Sequence, residues 1–209
     1  MAGAVLLGMM LAQGFGTWAT EIEADEEVVV KAPPLETDAE AVANRMLDTY
    51  LSRERGRRLY LQHRYAEAVP YLLAAAKRGF KMSQARLGEI YVLGLDDVPQ
   101  DIAAGMGWLG VAASGTTMPS IRNRFKELRS HVPPPLQPRL ETIVAAFAAK
   151  YGSEATGVTC TRDKLLGTNT TKLDCFFGDE WKYVRYFGVD ADESLDSMGL
   201  VGTRFVRGR

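Results

Sequence analysis

Four residues recur at a fixed offset in this chain. Ala68, Leu72, Ala76 and Gly79 are followed 36 residues later by Ala104, Trp108, Ala112 and Gly115. A period of that size with matched residue types predicts stacked helix pairs, because one pair cannot bury its apolar stripe alone and is covered by the next. Around the second copy, residues 83–94 read as an amphipathic helix closed by Gly94, and Asp101 caps a second helix running from Ile102 to Ser114, closed by Gly115. Gly88 predicts a close approach of the neighbouring backbone, with Tyr91 and Trp108 filling the space beside it. Ala112 and Ala113 keep the second helix thin where the next unit stacks. Alanines and aromatics at helical spacing are packing residues first, and they are read so here.

The run Leu87-Gly88-x-x-Tyr91-x-x-Gly94, then Val98-Pro99-Gln100-Asp101, then Ala104-x-x-x-Trp108-x-x-x-Ala112-Ala113-x-Gly115 resembles one full Sel-one-like repeat, a branch of the tetratricopeptide superfamily. The stretch from Gly56 to Gly79 keeps the second-helix pattern but carries Pro70 and a short turn at His63-Arg64-Tyr65, and its Tyr60 stands only 31 residues before Tyr91. Residues 119–128 and 136–151 lack the Leu-Gly and Ala-Ala signatures and are interrupted by Pro133-Pro134-Pro135, so they read as a capping helix pair. The resemblance implies a mainly α fold, a short α-solenoid of antiparallel helix pairs over residues 39–151, which binds proteins or peptides on its concave side. It implies no reaction and no cofactor. Ligand contacts would fall to polar residues beside the packing positions, and Tyr60, Gln84 and Arg86 are the candidates.

Upstream of the repeats the first charged side chain is Glu21, preceded by the unbroken apolar run Ala4–Ala12. The run is about half the length needed to span a bilayer, so residues 1–19 predict a secretory signal cleaved after Ala19. The expected mature protein is periplasmic or secreted and has no transmembrane segment. Residues 20–38 hold five acids between Glu21 and Glu27, then Val28-Val29-Val30 and Pro33-Pro34, and read as a flexible acidic arm. From residue 39 Ala41, Leu47 and Leu51 recur at helical spacing, with Asp38 placed to cap. Between Arg45 and Arg86 ten Lys or Arg face only Asp48, Glu54 and Glu67. That local excess favours an acidic protein partner and on-rates that fade with salt.

Beyond Gly152 the pattern changes to period two: Val158, Cys160 and Arg162, then Leu173, Cys175 and Phe177. Residues 152–209 therefore predict a small β-rich segment. Cys160 and Cys175 stand at equal distances from the Gly167–Thr168 peptide, so a hairpin turning there sets the sulfurs opposite each other, within disulfide range. A bond is the natural outcome in an oxidising compartment.

The chain has 209 residues, 46% of them apolar, and a net charge of −1. That balance excludes wholesale disorder and argues against a dedicated nucleic-acid binder. His63 and His131 flank turns of the helical part and read as surface residues, leaving a cysteine nucleophile without a base. Asp96, Asp97 and Asp101 lack the alternating ligands of a calcium loop, and no metal site is expected. Asn169-Thr170-Thr171 is a glycosylation sequon, relevant only in a eukaryotic secretory route. Glu180 beside Trp181 is an acid of the kind that cleaves glycans, with no second carboxylate placed for it. The expectation is thus an exported, non-enzymatic adaptor. Its rival is an envelope ligand-binding or enzymatic module with its site between Trp181 and Tyr186.

Overall fold

A computed structural model describes residues 39–164, 167, 170–183 and 186. The expected signal segment and acidic arm, Asp38 and Asn169 lie outside the described residues. The protein is mainly helical, with a two-stranded antiparallel sheet. Among the described residues six helices run α1 (Ala39–Leu61), α2 (Tyr65–Lys77), α3 (Lys81–Leu93), α4 (Ile102–Ala113), α5 (Pro119–Ser130) and α6 (Gln137–Tyr151). One helical turn, Ser153–Thr156, leads into β1 (Val158–Lys164) and β2 (Thr171–Phe177).

Successive helices pack on one another: α1 on α2, α2 on α3, α3 on α4, and α4 on both α5 and α6. The punctuation follows the sequence. Gly94 ends α3 in the left-handed region at φ 61°, and Asp101 accepts a 2.9 Å hydrogen bond from the Ala104 backbone at the start of α4. The α1–α2 turn centres on His63 at φ 60°. Pro70 sits inside α2, one turn from its start.

Two expectations need correction. The buried stripe of α1 is Ala43, Met46, Tyr50 and Leu59, whereas Leu51 is 50% exposed; several apolar side chains within two turns admitted more than one phase of the stripe. The space beside Gly88 belongs to Leu109 and the Gly105 backbone, not to Tyr91 or Trp108. A Cβ added at Gly88 would lie 2.6 Å from Leu109 Cγ and 2.9 Å from the Gly105 carbonyl oxygen, so α3 and α4 meet backbone to backbone through two glycines. Helix α6 also packs against α4 at Gly107 and Gly110, where added Cβ atoms would strike Phe147 and Val144. Ala112 and Ala113 are buried next to them, in the cluster that holds Ile121 and Leu140.

Trp108 is 4% exposed and shares a cluster with Leu59, Ala68, Leu72, Ala76, Leu87 and Ile90. Its ring stacks on Tyr151 of α6 at 4.6 Å and meets Phe147 edge-on at 5.1 Å. Helix α6 thus completes this core. The hairpin has the expected register, Cys160 opposite Cys175, and the two sulfurs are at bonding distance. Its inward face, Val158, Cys160, Cys175 and Phe177, shares a core with Met46, Tyr50, Ala75 and Phe80. Tyr50, Phe80 and Phe177 form a triangle of edge-to-face rings, each pair 5.5 Å apart.

Candidate functional site

Docking the hairpin on the helices leaves a groove of about 640 Å³ along β2. Its helical wall is α1 and α3, which contribute Arg53, Glu54, Arg57 and Arg86; its other wall is the consecutive residues Thr171–Cys175 of β2. Phe80, Met82, Met118 and Leu173 supply apolar floor. Arg53 and Arg57 are four apart on α1 and fall on one face. Both reach Glu54, at 3.2 and 3.6 Å, so one carboxylate serves two guanidiniums. Lys172 stands 3.8 Å from Asp174. Arg86 makes no ion pair with a described residue; its guanidinium lies over the Tyr60 ring at 5.6 Å. Burial first, and the neighbouring Arg57 charge second, press its pKa below the ordinary arginine value. The groove therefore holds four cationic side chains against two carboxylates.

Of the three candidate contact residues, Arg86 lines this groove and Tyr60 adjoins it through Arg86. Tyr60 donates to Glu89 Oε2 at 2.7 Å, and burial followed by that hydrogen bond raises its pKa. Gln84 does not belong to the surface. It is 1% exposed, and its amide nitrogen donates to the carbonyls of Ala76 at 3.0 Å and Tyr151 at 2.9 Å, tying α3 to the ends of α2 and α6.

The basic excess of residues 45–86 is divided among several duties. Arg64 pairs with Glu67 at 2.6 Å, Arg55 covers Tyr71, and Arg78 covers Phe177. Lys81 is 3% exposed and donates to Val111 O, Ser114 O and Ser114 Oγ at 3.1, 2.8 and 3.4 Å, closing the end of α4; burial, then Arg122, pushes its ammonium down to about 8. Only Arg53, Arg57 and Arg86 of that set face the groove. The i, i+4 spacing of Arg53 and Arg57 was visible in the sequence, whereas Lys172 and Leu173 reach the groove only through the docking of the hairpin.

Glu180 serves the docking itself. It is 8% exposed and accepts a hydrogen bond from the Tyr50 hydroxyl, which also receives the Phe177 backbone N–H at 3.4 Å. Burial, with a smaller contribution from Asp174, raises its pKa above the usual carboxylate value against the opposing hydrogen bonds. A carboxyl raised on folding binds its proton more tightly in the folded state. Its stabilising contribution is therefore full below the ordinary carboxylate range and is lost as pH rises through the raised value. Glu180→Gln keeps an acceptor for Tyr50 without the charge, so its melting temperature should stay flat over that interval while the parent's falls. Equal slopes in the two titrations would show that Glu180 does not control the docking.

Among the described residues no group of three His, Cys, Asp or Glu side chains is placed to hold a metal ion, and no helix is long and apolar enough to cross a membrane. The paired cysteines and that lack of a spanning helix are compatible with an extracytoplasmic protein. Trp181, at the start of the rival site, is 64% exposed, and Val184 and Arg185 lie outside the described residues. The class of protein defined so far is a mainly helical one carrying a disulfide-bridged hairpin and a basic groove. Comparison with protein-family models, curated proteins and solved structures gives no match.

Proposed function

We propose that this chain is an exported, non-catalytic adaptor of the Sel-one-like and tetratricopeptide-like kind, and that its groove holds an acidic peptide segment of a partner protein. The observation that carries the reading is the set of three guanidiniums over a partly apolar floor, with Arg86 lacking an ion partner among the described residues. A half-buried arginine crowded by another is relieved by an incoming carboxylate, and a fork of donors suits that geometry. The export assignment is supported by the apolar run before Glu21 and by the paired cysteines.

The test uses a pool of acetylated, amidated nonapeptides in which Glu alternates with Leu, Val or Phe, with a Lys-containing pool as control. The full chain should retain members of the acidic pool at low salt and lose them as salt rises. Arg57→Glu is the cleanest variant, because Arg57 is 53% exposed and its replacement leaves the core intact. Exposed pairs are worth up to about 1 kcal/mol each, and reversal adds repulsion, so affinity should fall by roughly five- to tenfold, mainly through slower association. The melting temperature should stay the same. Equal retention of both pools, or equal binding by Arg57→Glu, would overturn the acidic-peptide reading.

A further inference from the structure

The peptide reading leaves open how a partner segment is held, and the hairpin supplies an answer. In an antiparallel pair, residues facing each other alternate between hydrogen-bonded and non-hydrogen-bonded positions; the latter sit closer, about 4.5 Å apart at Cα, and turn their N–H and C=O away from the partner strand. Cys160 and Cys175 are opposite each other with Cα atoms 4.0 Å apart, which places them in the non-hydrogen-bonded class. Two residues along, Phe177 has the same parity, and its N–H goes to the Tyr50 hydroxyl, off the sheet. The two observations agree. Leu173 and Thr171 share that parity through their register with Arg162 and Lys164, so the backbone groups of Thr171, Leu173 and Cys175 point outward.

The outer edge of β2 is the one that borders the groove: the consecutive residues Thr171–Cys175 form its wall, and among the described residues the sheet contains only β1 and β2. An unpaired edge with regular spacing and no proline or bulge is a template for another strand. Here it faces Arg53, Arg57 and Arg86 across an apolar floor. We infer that the groove takes its acidic peptide as an extended strand added to the edge of β2, the backbone paired with Leu173 and Cys175 and alternate side chains reaching the arginines.

The opposite edge does not compete on chemistry. The cavity of about 520 Å³ beside β1 is lined by Gly115, Thr116, Thr117 and Arg122 and by residues 160–163 of the strand; it has no Phe, Met or Leu floor, Arg162 is matched there by Asp163, and Arg122 already donates to the Gly115 carbonyl at 3.0 Å. Strand addition supplies main-chain affinity that is indifferent to sequence, while the side-chain pockets choose the partner. The groove-lining part of β2 is five residues long, and at about 3.3 Å per residue it matches a peptide stretch of about 16 Å.

The inference rests on the acidic-peptide reading, and the experiment separates the two. The tightest member of the acidic nonapeptide pool is added to the full chain, disulfide intact, and amide hydrogen exchange is followed residue by residue. At saturation the Leu173 and Cys175 amides should slow by about tenfold or more, since they pass from open edge to paired strand. N-methylation of the peptide at alternate amides should abolish binding in one register and spare it in the other. If the peptide binds, and Arg57→Glu weakens it, yet neither amide is protected and both methylated registers bind, strand addition is wrong and the acidic groove stands. Protection of both amides with binding untouched by Arg57→Glu supports the strand and overturns the charge reading. Should no member of the pool bind at low salt, both fall.

Discussion

Trp108→Ala should unfold the helical array and not merely weaken a contact. The indole is 4% exposed, stacks on Tyr151 and meets Phe147 edge-on, and joins side chains from α1, α2, α3 and α6 in one cluster. Truncating a buried Trp typically costs about 3 to 5 kcal/mol, against the roughly 5 to 15 kcal/mol that holds a domain folded. The melting temperature should fall by about 10 °C or more, or the cooperative transition should disappear. Trp108→Phe keeps an aromatic ring against Tyr151 and should recover a good part of the loss. If Trp108→Ala melts with the parent and loses peptide binding, the residue acts at a surface and the packing account is wrong.

How much of this was legible beforehand depends on whether the decisive contact is local. Helix ends were, because Gly94 and Asp101 set them through their own backbone and side-chain chemistry. The hairpin register was also legible: two cysteines mirrored about the Gly167–Thr168 peptide leave one alignment that faces the sulfurs. The neighbours of Gly88 were not. A glycine announces a close approach without naming what approaches, and Leu109 and Gly105 could be told from Trp108 only by the rotation of α4 about its axis. Gln84 failed for a related reason. A polar residue on a helix reads as solvent-facing, yet this one satisfies two carbonyls at the ends of other helices, one of them 67 residues distant.

The groove is the same lesson at larger scale. The local excess of basic residues marked a region, but three-dimensional packing divided it, burying Lys81 against the end of α4 and sending Arg55 and Arg78 onto aromatic rings. What selects Arg53, Arg57 and Arg86 is the hairpin, which docks through Tyr50, Phe80 and Phe177 and so walls off one face of α1 and α3. Sequence distance is large here: Tyr50 and Glu180 are 130 positions apart. No pattern of period two or 3.6 carries such a contact. The two phases of helix and strand were readable separately, and the site lies where they meet.

That dependence makes the disulfide the second large lever. A two-stranded hairpin is marginal by itself in water, and here it is secured by one inward face and by the bond between Cys160 and Cys175, which closes a separation of 15 residues. Such a cross-link contributes about 3 kcal/mol on the chain-entropy account. Replacing both cysteines with alanine avoids burying unpaired hydroxyls beside Tyr50 and Phe80, and it should lower stability by about that amount. The loss should concentrate in the hairpin. Amide protection in β1 and β2 should fall first, the helices should persist to higher temperature, and peptide binding should disappear with the wall of the groove. Thiol labelling of denatured, unreduced protein from its native compartment should find no free cysteine. Two reactive thiols in that material would overturn the export assignment, and a double-alanine variant as stable as the parent and still binding the acidic peptide would show that the groove does not depend on the bond.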